Sequence, residues 1–160
     1  MILPGHFASV LLASHLVKVN RRAALAASLF PDVMDKGLHW VAKLTPSDRL
    51  WAHTAWAVAG TSALAWLVGR AAGWPGIGRS WLMGYIVHLL GDLSAPLALF
   101  YPLSRRGFHG GARFREIIGG RRAIPWRVFA AEALLVLAAV LAERRRVRRD
   151  GQQGQGACEP

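Results

Sequence analysis

The chain has 160 residues, which is enough for one domain with a real core and too few for two comfortable ones. Hydrophobic residues make up 53% of it and the mean hydropathy is +0.27; both values are high for a soluble domain and favour membrane contact. The 20 Lys and Arg residues outnumber the 9 acidic ones, and the resulting charge of +11 suits anionic lipid, nucleic acid or phosphorylated substrates without choosing among them.

The apolar pattern predicts an all-α fold, with no β pattern and no internal repeat. The predicted helices cover residues 5–18, 21–30, 55–69, 80–100 and 126–142. Asn20 is placed to cap the second helix, and Pro31 is expected to end it. Pro96 is expected to kink or end the fourth helix. A polar stretch with a short helical turn, residues 32–49, separates the second helix from the third.

Each apolar run is marginal as a membrane span, because a bilayer core needs about 20 apolar residues and the runs here have about 15 to 21. The run ERRRVRR directly follows the last apolar helix, as the positive-inside rule expects at a cytoplasmic end. We therefore expect a helical bundle that is membrane-embedded or membrane-associated, with at least the last two helices inserted and the C-terminal tail in the cytoplasm. Residues 1–142 would form this domain, and residues 143–160 a basic and then disordered polar tail.

His88 and Asp92 stand four residues apart inside an apolar run, so a helix would place both on one face about one turn apart. An imidazole and a carboxylate in apolar surroundings must share a proton, pair with other polar groups or bind a cation. This segment is therefore a candidate metal or acid–base site.

Three further places carry side chains that can bind metal: His6, then Asp32 with Asp35, then Asp48 with His53. Imidazole and carboxylate form the ligand set expected for zinc, manganese or iron. A hydrolase built on them would use the metal to lower the pKa of water and polarise a phosphoryl or carbonyl oxygen. Each place also has a structural alternative, because Asp32 can cap a helical turn after Pro31 and His53 can be incidental beside a Thr54 cap.

Together, these places resemble the YdjM-like family of membrane-bound, metal-dependent hydrolases. The matching elements are His6, LFPDVMD at residues 29–35, RLWAHT at residues 49–54, and GYIVHLLGD through YPLSRR at residues 84–106. The last element is the most specific, and the resemblance covers roughly residues 5–108. The chain departs from the family pattern at Asp35, three residues after Asp32 where the family spaces its aspartates by two, and at Asp48, where the family has a histidine.

The resemblance implies a helical hydrolase with one or more divalent ions, zinc or manganese. The implied metal ligands are His6, Asp32, His53, His88 and Asp92, with His88 and Asp92 as the catalytic pair. The leading hypothesis is hydrolysis, at the membrane, of a phosphoester such as a phospholipid or a lipid-linked phosphate. Arg49, Arg105 and Arg106 would hold its anionic group, because guanidinium pairs bidentately with phosphate. The same arginines would also serve as simple anchors for anionic lipid.

A non-enzymatic alternative also fits the residues. In it, a small membrane protein binds a partner or anionic lipid through its basic surface, and the His and Asp side chains pair among themselves to stabilise helix packing. DNA binding by ERRRVRR ranks last, because the position of this run after an apolar helix already explains it, so a nucleic-acid partner is not expected.

Overall fold

The computed structural model describes residues 3–93, 97–106 and 126–156, and within them the fold is all-α, with no strand. The helices are α1 (Leu3–Leu16), α2 (Arg21–Lys36), α3 (Ala55–Ala71), α4 (Ile77–Gly91) and α5 (Trp126–Gly156), and a π-helical turn, Gly37–Val41, continues α2. α2 packs against both α1 and α4, while α3 packs on α4 and α5 packs on α1. The predicted all-α class is confirmed.

Side chains cap the N-termini of two helices. Asn20 Oδ1 accepts a hydrogen bond from the backbone N–H of Ala23 at 3.1 Å, which confirms the predicted cap of α2. Thr54 Oγ1 accepts one from the backbone N–H of Ala57 at 3.2 Å at the start of α3. The backbone N–H of Asn20 also donates to Ser80 Oγ at 2.8 Å, and this bond fastens the beginning of α2 to α4.

α2 and α4 approach each other closely because Gly84 has no side chain. A Cβ atom at Gly84 would overlap the backbone of Ala24 on α2. Ala24 and Ala27 are fully buried in this contact region of small residues. The close packing carries the polar end of α2 towards the end of α4, where His88 lies.

α2 does not end at Pro31, so that prediction is wrong: the helix continues through the proline to Lys36. A proline inside a helix removes one backbone hydrogen bond and disfavours the preceding turn. Pro31 is fully buried, and the packing of α2 within the bundle outweighs that local cost. As a result Asp32 and Asp35 lie on a helix, one turn apart, rather than in a polar loop.

α4 ends at Gly91, well before the predicted end at residue 100. The backbone N–H of Asp92 closes the last turn by bonding to the carbonyl groups of His88 and Leu89, both at 3.1 Å. Asp92 therefore stands just beyond the helix, still one turn after His88. The predicted kink at Pro96 lies outside the described residues.

α5 runs past the predicted end at residue 142, through the basic run, to Gly156. Residues 151–156 were expected to be disordered, whereas α5 continues through ERRRVRR and includes them. The division into a domain and a tail stays a prediction.

At least the last two helices were expected to be inserted in the membrane. In the described ranges, however, no helix is both long enough and apolar enough to cross a bilayer. α4 has only 15 residues, and α5 contains the basic run within its length. Large apolar side chains are nevertheless abundant on the outside of the bundle, including Trp56, Leu64, Trp66, Leu67, Ile86 and Leu90.

The interior, in contrast, is rich in ionisable groups. The largest fully buried side chains include His6, Asp35, His53, His88 and Asp92, alongside Tyr85 and Leu50. Burying such groups is costly unless they are paired or coordinate a metal. The centre of this bundle is therefore the candidate functional site.

Candidate metal centre

Four buried side chains from separate parts of the chain converge on one point. Asp32 comes from α2, His53 from the loop before α3, His88 from α4, and Asp92 from just after α4. One ligand atom from each lies within 4.8 Å of the other three. We call these residues the four-donor group.

The distances within the four-donor group are compatible with a bound metal ion. The Nε2 atoms of His53 and His88 are 3.2 Å apart. Asp92 Oδ2 lies 3.6 Å from His53 Nε2 and 3.8 Å from His88 Nε2, and Asp32 Oδ1 lies 3.9 Å from His53 Nε2. Tetrahedral zinc holds nitrogen and oxygen ligands at about 2.0–2.2 Å, which places them about 3.3 Å from one another. Two carboxylates would also balance the charge of a divalent ion.

Several buried polar atoms at the site have no hydrogen-bond partner. They are both ring nitrogens of His6, Nδ1 of His88 and Oδ1 of Asp32. A buried polar group without a partner costs about 1–3 kcal/mol, so such atoms are uncommon in clusters. A cation coordinated by Asp32 Oδ1 would satisfy that oxygen. The residues present are therefore suited to binding a metal.

Asp35 orients His53. Asp35 Oδ2 accepts a hydrogen bond from His53 Nδ1 at 2.7 Å, so Nε2 is the ring nitrogen that faces the four-donor group. The same carboxylate accepts hydrogen bonds from the backbone N–H groups of Leu50 at 2.7 Å and Ala52 at 2.9 Å. The family resemblance implied no ligand role for Asp35. Asp35 instead orients His53, a predicted ligand, and no local spacing could reveal a contact between residues this far apart in sequence.

Tyr85 gives the His53 loop a second attachment. Its buried hydroxyl donates a hydrogen bond to the carbonyl oxygen of Ala52. Burial and the nearby charge of Asp35 raise the pKa of Tyr85, so the hydroxyl keeps the proton that it donates. Sequence reasoning gave Tyr85 no role of its own.

His6, the fifth predicted ligand, lies beside the four-donor group. Its Nε2 is 3.5 Å from Asp92 Oδ1, and its ring stacks on that of His88 with the centroids 4.1 Å apart. Asp92 thus presents Oδ2 to the four-donor group and Oδ1 to His6. The structure brings all five predicted ligands together, while their action as ligands and the catalytic role of His88 and Asp92 stay predictions.

The electrostatics of the site favour a neutral imidazole at one ligand and a cation between the carboxylates. Burial and the neighbouring His6 lower the pKa of His88 to about 4, so its ring is neutral at physiological pH and has a lone pair to offer. Burial alone would lower the pKa of His53, but hydrogen bonds to Asp35 and Asp92 raise it above its ordinary value. The carboxylates therefore stabilise positive charge at this point.

Two cationic side chains border the site on its solvent side. Lys36 Nζ lies 2.7 Å from Asp32 Oδ2, and an Arg49 guanidinium nitrogen lies 3.5 Å from Asp92 Oδ2. Burial would raise the pKa of Asp92, but His53, His6 and Arg49 together hold it below its usual range. Lys36 likewise outweighs burial and lowers the pKa of Asp32. Both carboxylates are therefore ionised and ready to bind a cation.

The other predicted phosphate contacts, Arg105 and Arg106, are not seen to pair with this site in the described ranges. Arg105 and Arg106 are exposed in the turn segment 97–106, and across the described parts of the chain neither forms an ion pair with the four-donor group. Asp48, which stands where the family has a histidine, is half-buried and is not one of the four donors. Arg49 is thus the predicted arginine that the structure places at the site.

Comparison with protein-family models matches residues 2–149 to the YdjM inner membrane protein family. The chain belongs to this family. The YdjM match extends past the stretch that carried the resemblance and includes most of α5. Comparisons with curated proteins and with solved structures give no match. The YdjM family is described as one of inner membrane proteins, and the cytoplasmic orientation of the C-terminal tail stays a prediction.

Proposed function

We propose that this YdjM-family chain is a metal-dependent hydrolase that acts at the inner membrane on a phosphoester, such as a phospholipid or a lipid-linked phosphate. The observation that carries the proposal is the convergence of Asp32, His53, His88 and Asp92 in a buried group with metal-like spacing. Such inward-facing carboxylates and histidines are a known way for helical bundles to hold divalent metals.

The chemistry follows from the donor set. A divalent ion here, zinc or manganese, would polarise a phosphoryl oxygen and lower the pKa of water. His53 and His88 would hold the ion through Nε2, and Asp32 and Asp92 through one oxygen each. Asp35 would keep His53 in the tautomer that this requires.

Arg49 and Lys36 are placed to receive an anionic group. In the structure both pair with carboxylates of the four-donor group, and their side chains are 26% and 31% exposed, so they reach both the site and solvent. A cation bound to Asp32 and Asp92 would neutralise those carboxylates and leave both basic side chains free to pair with phosphate oxygens. Arg105 and Arg106 are better placed to contact anionic headgroups at the surface.

The outside of the bundle supports a lipid substrate. Exposed leucine and tryptophan side chains on α3 and α4 form an apolar surface that water does not favour. The family name places its members at a membrane. A phosphoester held at a membrane would meet both the apolar exterior and the basic edge of the site.

A vesicle assay tests the activity. We would strip metal from the purified protein with a chelator, add back Zn²⁺ or Mn²⁺, and measure phosphate or headgroup release from vesicles of phosphatidic acid and phosphatidylglycerol. Turnover should need added metal and should fall at least about 100-fold in His88→Ala and Asp32→Asn. His39→Gln, a control histidine whose Nδ1 contacts the Thr45 carbonyl oxygen, should keep wild-type turnover. Equal rates in all variants, or none with either metal, would reject the proposal.

A structural metal in a non-enzymatic membrane protein is the second candidate, and one observation favours it. Four protein donors would complete a tetrahedral shell around a metal, and structural zinc sites are closed in this way, whereas catalytic ones keep a position open. Replacing the metal with Co²⁺ separates the two cases. Inorganic phosphate should change the visible spectrum of Co²⁺ at an open site and leave it unchanged at a closed one.

A further inference from the structure

An apolar groove separate from the metal centre runs between α1 and α5. Its volume is about 820 Å³, and its walls include Phe7 and Leu11 from α1 and Val136, Val140 and Val147 from α5. Neighbouring members on each helix are four or seven positions apart, so each helix contributes a single stripe. His6 contacts the metal centre, whereas its neighbour Phe7 lines the groove, so α1 separates the two places.

Charged side chains line the C-terminal part of the α5 stripe. Arg144 and Arg148 are exposed and border the groove. Glu143 borders it too, and its carboxylate pairs with His15 at 2.9 Å and Arg21 at 2.8 Å. The groove is therefore apolar along most of its walls and polar where α5 becomes basic.

A second, smaller pocket adjoins the groove at Glu143. Its volume is about 290 Å³, and it is lined by His15, Lys18, Arg21 and Arg146, among others. His15 and Arg21 are the residues that hold Glu143, so the two pockets meet at that side chain. Three permanently cationic residues surround this pocket against one carboxylate, so it favours an anion.

We propose that the groove binds one acyl chain of an anionic glycerophospholipid, whose phosphate lies between Arg144, Arg148 and the adjoining basic pocket. The groove volume falls within the range of about 300–1,000 Å³ found for ligand pockets. Hydrocarbon matches its walls, and a phosphodiester matches its cationic end. Free phosphate would leave the apolar walls uncovered, and a lipid without a phosphate would gain nothing from the arginines. The site lies away from the metal centre and does not depend on the proposed hydrolase activity.

Native mass spectrometry of the full chain in detergent tests this site. Phosphatidylglycerol and phosphatidylcholine with identical acyl chains would be titrated separately, and bound lipid counted per chain. We expect one phosphatidylglycerol per chain, bound more tightly than phosphatidylcholine. Arg144→Gln combined with Arg148→Gln should weaken phosphatidylglycerol binding about 30-fold and phosphatidylcholine binding much less, because the choline ammonium already offsets the phosphate charge. Arg22→Gln with Arg127→Gln, two exposed arginines outside the groove, should have no effect.

Two substitutions to tryptophan, one inside the groove and one outside it, distinguish lipid binding in the groove from general electrostatic attraction to the basic surface. Leu11→Trp should abolish binding of both lipids, while Leu16→Trp, on an 88% exposed residue of the same helix, should bind like wild type. Circular dichroism would confirm helical content in every variant, and the arginine pair still decides the matter if Leu11→Trp unfolds. Wild-type phosphatidylglycerol binding in Leu11→Trp, equal affinity of the wild type for both lipids, or an equal loss in the control arginine pair would overturn the proposal.

Discussion

His53 Nδ1 donates a hydrogen bond to Asp35 Oδ2 at 2.7 Å, and both side chains are fully buried. Because Asp35 also accepts hydrogen bonds from the backbone of Leu50 and Ala52, one carboxylate holds the imidazole and the loop that carries it. His53 is thereby fixed with Nε2 towards His88 and the two aspartates. Such a partner raises the basicity of a metal-binding histidine and sets its tautomer.

Replacing Asp35 should therefore weaken metal binding, although Asp35 does not belong to the four-donor group. Asp35→Asn should lower Zn²⁺ affinity about 10–100-fold, because the amide no longer enforces the Nδ1-protonated tautomer. Competition against a chromophoric chelator measures the affinity. Asp48→Asn, a half-buried carboxyl group outside the four-donor group, is the matched control. Equal affinities in wild type, Asp35→Asn and Asp48→Asn would show that Asp35 has no positioning role.

Gly84→Ala should destabilise the bundle, because its new methyl group would overlap the Ala24 backbone and push α4 away from α2. We expect the free energy of unfolding to fall by about 1–3 kcal/mol or more. Gly60→Ala on α3 has open space around it and should be neutral or stabilising by up to about 1 kcal/mol. Urea unfolding in a mild detergent compares the two. A harmless Gly84→Ala would mean that the helices are not packed this closely.

Glu143 should make stability depend on pH on the acid side. The hydrogen bond from Arg21 lowers the pKa of Glu143 and outweighs the opposing effect of burial, and His15 adds to the lowering. A folded-state pKa below the unfolded value, near 4.5, gives stability that is present above that pH and lost as pH falls through the folded pKa. The melting temperature of Glu143→Gln should therefore lie below that of wild type at pH 7 and approach it in acid. A gap independent of pH would contradict this ion-pair role.

Local rules in the sequence predicted part of the fold correctly. The Asn20 cap holds, and the spacing of His88 and Asp92 does place them one turn apart. The rule that proline ends a helix failed at Pro31, because burial of the α2 face outweighs one lost backbone bond. Hydropathy favoured a fourth helix up to residue 100, whereas the helix ends at Gly91 and its last turn closes at the backbone N–H of Asp92.

The candidate site was likewise only partly predictable from the sequence. Spacing alone indicated the pair His88 and Asp92. Asp32 and His53, from other elements, were candidates by residue type, and the family resemblance selected them as ligands. No pattern indicated that Asp35 would bind the ring of His53, since this contact arises only when α2 packs beside the loop before α3. Such long-range pairing depends on tertiary packing, which periodicity does not encode.

The metal content of the purified chain is the most direct test of metal binding by the four-donor group. Inductively coupled plasma mass spectrometry, after purification in detergent without chelator and loading with Zn²⁺ or Mn²⁺, should find one divalent ion per wild-type chain. The ion should be lost in His88→Ala and retained in His39→Gln. A wild-type chain that binds no metal after loading, or a His88→Ala variant that retains as much as wild type, would contradict the account.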